Sequence, residues 1–178
     1  MIELSTIRDF VAIASFIIAL AYYTFNIRHS IQNRKSQLYN QITSITMQKE
    51  WLSDALKLLN MEWTDFDDFA RKYDSGVNPE NYSIRTVHFG LMDSVGYYVK
   101  TGQIDLELAS NFFGGFYCVW LWLKFKDIIK QYGEMLNLPY YYENFEYLAN
   151  QLIEYNRKRG TPIIYNGQDG SYIPTESQ

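Results

Sequence analysis

Phe10–Ile27 reads FVAIASFIIALAYYTFNI, eighteen residues without a charge, interrupted only by Ser15, Thr24 and Asn26. Wound as a helix, such a run rises about 27 Å, close to the ~30 Å hydrocarbon core of a bilayer. Arg8 and Arg28 bracket it, with side chains long enough to snorkel towards two headgroup layers. Tyr22 and Tyr23 fall where an aromatic belt lies. The stretch reads as a single transmembrane helix. Two other readings compete with this one. Ala19-Leu20-Ala21 mimics a signal-peptidase site, but a signal peptide needs a positive leading segment, and here Glu3 and Asp9 outnumber Arg8. A buried core helix is the remaining alternative.

The flanks set an orientation. Arg8 stands alone before the run, while Arg28, Arg34 and Lys35 follow it closely. The positive-inside bias then places residues 28–178 in the cytoplasm and the N-terminus outside, as expected for a single-pass protein of the cell membrane. Within the run, Ala12, Ser15 and Ala19 recur at i, i+3 and i+7. This is the face expected to pack against a neighbouring membrane helix, because small residues let backbones approach.

The rest of the chain bounds what the protein can be. Its 178 residues are 47% hydrophobic and 20% charged, with 10 Gly and 4 Pro, which excludes a disordered or collagen-like chain. Cys118 is the one cysteine, so there is neither a disulfide framework nor a cysteine zinc site. A net charge of −4 argues against nucleic acid as a partner. Three regions are expected: residues 1–27 with the membrane helix, a cytoplasmic helical bundle over 28–160, and an irregular tail over 161–178.

Within the bundle, residues 28–60 lack Gly and Pro and predict a long helix continuing from the membrane segment. Ile31, Leu38, Ile45, Leu52 and Leu59 recur every seven residues. They suit either a stripe laid into the chain's own domain, the favoured reading, or a homo-oligomeric seam. Thr64 is placed to cap a short acidic helix with Asp65, Asp67 and Asp68 in its first turn. A helix from about 81 to 101 would bury Ile84, Val87, Leu91, Val95 and Tyr98 and end at Gly102. Asp105 would cap the next helix, whose centre, Phe112–Leu123, is apolar all round and too short to cross a bilayer. It reads as the buried central helix, with Gly114-Gly115 allowing a close crossing or a kink, and a re-entrant or interfacial segment as the alternative. Asn144 would cap a last helix burying Phe145, Leu148, Leu152 and Tyr155 and ending at Gly160. The fold class is all-α.

Catalytic inventory is thin. The two histidines, His29 and His88, share no turn, and no E-x-x-H, G-x-S-x-G, Walker A or G-x-G-x-x-G pattern occurs. Cys118, among Tyr117, Val119 and Trp120, reads as an inert buried thiol, and His88 as a structural histidine. No catalytic residue, metal or cofactor is expected. Aromatic residues make up 17%, and Tyr and Trp are enriched at interfaces as well as in cores.

Gly102-Gln-Ile-Asp105, then Phe113-Gly114, Trp120 and Trp122, then Tyr142-Glu-Asn-Phe145-Glu146-Tyr-Leu-Ala149 form a pattern. Over roughly residues 10–150 it resembles a prokaryotic family classed only as a domain of unknown function. Its members are short proteins with one N-terminal membrane helix and a cytoplasmic helical domain. The resemblance implies an arginine in the helix before the G-x-I-D turn, matched here by Arg85. It also implies a basic residue after the tryptophan helix, where Lys130 stands in place of an arginine. It implies no activity. Read from the residues themselves, Arg85, Asp105 and Glu146 form a structural polar cluster, with Arg85 paired to Asp105 or Glu146.

The function expected is a non-catalytic, membrane-anchored interaction protein, an accessory or scaffold subunit. Its partners would be other membrane subunits or a cytoplasmic protein, together with the lipid bilayer. The alternative is a small membrane-associated enzyme or ligand sensor with its site near Arg85, Asp105 and Glu146.

Overall fold

The computed structural model describes residues 4–161, with the side chains of residues 4–7, 113 and 114 outside that description. Among the described residues the chain is all-helical: α1 (Leu4–Thr46), α2 (Lys49–Leu59), α3 (Phe66–Tyr73), α4 (Pro79–Lys100), α5 (Leu106–Asn111), α6 (Phe116–Met135) and α7 (Glu143–Lys158). A short 3₁₀ turn, Phe112–Gly115, separates α5 from α6. The expected irregular tail, but for Thr161, lies outside the described residues.

Two compact units divide after Asn40. The sequence pattern sets the boundary at 27/28; tertiary packing begins at Gln41. In the first unit, α1 carries its apolar run with every side chain from Phe10 to Ile27 exposed except half-buried Ala14.

In the second unit the helix starts follow local chemistry. Asp65, not Thr64, caps α3, accepting from the Asp68 N–H at 2.8 Å. Thr64 instead donates its backbone N–H to the Asp68 carboxylate at 3.2 Å. Asn78 caps α4 ahead of Pro79, whose missing N–H is no loss in a first turn. Asp105 caps α5, accepting from Leu108 N–H at 2.8 Å. Gly102 and Gly160, both at positive φ, end α4 and α7.

Further expectations need correcting. The helix predicted over 28–60 breaks at Met47–Gln48. Neither Gly nor Pro causes this. Ile42 and Thr46 are buried before the break and Trp51, Ala55 and Leu58 after it, and the five-residue step from Thr46 to Trp51 fits no unbroken helical stripe. The break re-indexes the chain so that both stripes enter the core. Accordingly Ile45 and Leu52 are exposed, so the sevenfold stripe is not what the domain buries. The helix expected after Asp105 is also interrupted: Gly115, at φ 72°, stops one segment and starts α6, and a Cβ there would meet Ser110 O at 2.9 Å. In α4 the buried face is Arg85, His88, Phe89, Met92, Val95 and Gly96, while Val87 is exposed. The apolar spacing misplaced that face because it ignored two polar residues that find partners inside. Finally, Asn144 is no cap: it lies inside α7, behind Tyr142.

The core gathers around α6. Tyr117, Cys118, Val119, Leu121, Trp122, Phe125, Ile128 and Ile129 are all buried, as an all-round apolar helix requires. Phe125 meets Phe89, Phe69 and Trp63 at ring distances of 5.2, 6.2 and 5.0 Å. Phe145 of α7 closes over Trp122 and Phe89. Burying each such ring is worth roughly 1.5–3 kcal/mol.

α4 and α7 cross closely. Gly96 supplies the notch: a Cβ there would lie 1.9 Å from Asn144 O. Asp93, three residues earlier, accepts from the backbone N–H groups of Asn144 and Phe145 at 3.0 and 3.1 Å and from Asn144 Nδ2 at 3.3 Å. One carboxylate thus satisfies the start of a helix that lacks a cap of its own.

Candidate functional site: a buried arginine among tyrosines

Arg85 is only 5% exposed. Its Nε donates to Asn81 Oδ1 at 3.0 Å and its Nη2 to Tyr73 O at 2.6 Å. The guanidinium carbon sits 4.7 Å from the Phe69 ring centroid and 5.6 Å from that of Tyr82. Asp74 is the acid that helps hold its charge, but among the described residues no carboxylate forms an ion pair with it. Burial therefore pulls its pKa down, against Tyr132 and Asp74, which hold it up. A buried charge without an ion-pair partner is an exception that calls for a reason.

Around this cation lies a cavity of about 20 Å³, lined by Tyr82, Arg85, Thr86, Phe89, Ile128, Ile129, Tyr132, Tyr141 and Tyr142. Its tyrosines come from three places: α4, α6 and the loop between α6 and α7. That loop is held by unusual backbone. Asn137 and Tyr142 both sit at positive φ, 54° and 56°. Asparagine tolerates this region; an aromatic residue there is strained by about 1–3 kcal/mol. Gly133 lets the loop approach, since a Cβ there would meet Leu138 O at 3.2 Å and Tyr141 Cβ at 3.3 Å. The strained Tyr142 ring packs on Phe89 and Tyr141, at 5.6 and 4.5 Å. Burial pushes the Tyr132, Tyr141 and Tyr142 phenols up, so each keeps its proton. Among the described residues the Tyr132 hydroxyl is buried and makes no well-formed hydrogen bond, while the Asp74 carboxylate helps to raise its pKa.

The three residues expected to cluster are not brought together. Arg85 has the partners just described, Asp105 caps α5, and Glu146 pairs with Lys130 at 3.6 Å. Ala12, Ser15 and Ala19 lie exposed along α1. What the sequence reading missed is the tyrosine lining and Asp93. Asp93 did carry a signal: no basic residue stands three or four positions from it on α4, so its charge had to be used elsewhere.

Three other polar centres have structural accounts. Asp68 is gripped by Lys72 at 2.8 Å and Arg71 at 3.2 Å, which, with the Thr64 N–H, lowers its carboxyl to about 2. His88, 2% exposed, stacks on Trp51 at 4.5 Å, and its Nδ1 lies 2.7 Å from the Tyr117 hydroxyl. Burial lowers His88 to about 4, against the weak pull of Asp54, so the ring is neutral at pH 7. The Cys118 thiol is driven up by complete burial and is no nucleophile. Among the described residues no group of three His, Cys, Asp or Glu could hold a metal ion.

No curated protein matches the chain, and no solved structure does. The family model described as "Domain of unknown function (DUF4760)" matches residues 9–152, which take in the apolar helix, the arginine and its tyrosines; the chain belongs to that family.

Proposed function

We propose that the protein is a non-catalytic, single-pass membrane protein whose helical domain docks on other proteins, as an accessory or scaffold subunit of a membrane assembly. One observation carries the reading. Phe10–Ile27 is an uncharged helical run whose large side chains are exposed, with Phe10, Phe16 and Ile18 at 74, 70 and 68%. Water does not tolerate so much contiguous apolar surface, and a bilayer does. The Arg28, Arg34 and Lys35 excess supports a cytoplasmic domain. Ala12, Ser15 and Ala19 offer the neighbouring subunit a close-packing face.

Three measurements test this. The full chain should stay with membranes through a carbonate wash; its release there refutes the anchor. Cys118 is buried, so a cysteine placed at exposed Ser75 reports topology. It should resist an impermeant thiol reagent in intact cells, and labelling there reverses the orientation. The double substitution Ser15→Leu and Ala19→Leu should cut recovery of co-purifying subunits in mild detergent while insertion persists. Unchanged recovery would assign that face to lipid.

A further inference from the structure

The Arg85 cavity has the chemistry of a ligand site, and its composition is one-sided. Its lining holds one guanidinium and four phenols, but no carboxylate. The Thr86 hydroxyl is already committed to Tyr82 O at 2.8 Å. Of the five N–H donors of the guanidinium, two have partners among the described residues, through Nε and Nη2. Among the described residues the Tyr132 hydroxyl is buried without a well-formed bond, with the Asp74 carboxylate near enough to raise its pKa. Donors and positive charge thus converge on a small space walled by aromatic rings, where the low dielectric strengthens any attraction.

We propose that this cavity binds a single small monovalent anion of halide size, chloride in the cell, held by Arg85 and the Tyr132 hydroxyl with the neighbouring phenols. Size decides against larger anions. A space of about 20 Å³ is that of one water-sized particle, too small for a carboxylate or a phosphate. Chemistry decides against water. A water could bond both the guanidinium and the phenols, which accept as well as donate, but it would leave the buried charge without an anion in the cavity. A halide accepts from all of them and neutralises the buried cation. Two other clefts among the described residues lack this one-sidedness. The cleft between α2 and α4, about 620 Å³, is lined by Lys49, Glu50, Asp54, Lys57 and Glu80, with Lys57 bridging Asp54 and Glu80. The cleft of about 420 Å³ beside α7 sets Lys130 against Glu134, Glu143 and Glu146. That second cleft shares Ile129 and Tyr141 with the arginine cavity.

The proposal does not depend on the membrane reading and is tested separately. The purified full chain in detergent is melted at constant ionic strength while sodium gluconate is replaced by sodium chloride or bromide. Gluconate is too large for the cavity. A halide that binds only the folded chain raises Tm in a saturable way. Tyr132→Phe keeps the ring and its packing, removes one donor, and should weaken the apparent halide dissociation constant about tenfold. Arg85→Gln should abolish the halide dependence; because it also disturbs the core, the Tyr132 variant is the deciding one. Bromide-edge anomalous scattering from crystals grown in sodium bromide should place a peak between Arg85 and Tyr132. Equal Tm in gluconate and halide, a halide shift untouched by Tyr132→Phe, or a water alone in the cavity of bromide crystals each overturns the proposal.

Discussion

α1 and α6 each carry a long apolar run, and the two meet opposite fates. In α6 the run is buried by protein, with Val119, Leu121 and Phe125 at 0% exposure; in α1 Phe10, Phe16 and Ile17 stand at 59–74%. Composition does not separate them. Length and punctuation do. The α1 run lasts eighteen residues between arginines, enough for a bilayer, whereas the α6 run starts at a glycine in the left-handed region and meets Lys124 within nine residues. Its neighbours are equally telling, because α4 and α7 present rings shaped to receive it. A helix apolar on every side needs a solvent or a shell; α6 has the shell.

That contrast can be broken from either side. The largest effect is expected at the α4–α7 crossing. Gly96→Ala places a methyl 1.9 Å from a backbone oxygen that has nowhere to go. Despite the gain of about 1 kcal/mol in helix propensity, it should lower stability by ~3 kcal/mol or more, read by denaturant unfolding of the full chain in detergent. Membrane association should persist. Ile17→Arg is the mirror experiment: about 2.5–3.5 kcal/mol against insertion, seen as release to the soluble fraction, with the unfolding midpoint of the bundle unchanged. Loss of bundle stability in the second variant, or of membrane binding in the first, would show that the two regions are not separable in this way.

A gentler probe uses His88. Its folded pKa of about 4 lies below the ordinary 6.5, so the unfolded chain takes up the proton more readily. The stabilisation is complete above pH 6.5 and is lost as pH falls towards 4. Between pH 7 and 5 the loss should be about 2 kcal/mol. Acids with lowered values, such as Asp68, contribute only below this window. His88→Phe should flatten the pH profile; an unchanged slope would assign it elsewhere. Smallest is Asp105→Ala, which removes one exposed cap and should cost about 1 kcal/mol with no change at the arginine cavity, checked by urea titration.

These residues also mark what could be read in advance. Asp105, Gly102 and Gly160 act on their own chain neighbours, so position alone reveals them. The buried identity of α6 was legible for the same reason, since a helix apolar on all sides has one globular solution. Arg85 and His88 were not, because periodicity sorts residues by polarity and both are buried by partners on other elements. The break at Met47–Gln48 has no local breaker; it is imposed by two core stripes that no straight helix could satisfy. Asp93 and the tyrosine lining are set by contacts about fifty residues apart, and spacing within one helix is blind to them.

The borrowed cap on α7 has a consequence for the order of events during folding. Residues 143–158 begin at a strained tyrosine, and their first N–H groups are satisfied by a carboxylate 51 positions earlier. A sixteen-residue segment so started is a poor autonomous helix. It consolidates only once α4 presents Asp93 and the Gly96 notch, so α7 should arrive late and drive the final closure across a long loop. Until then Phe89 and Trp122 lack the Phe145 ring that covers them. A chain paused on the ribosome before that point displays a sticky, unfinished surface, and its survival rests on the last helix emerging in time.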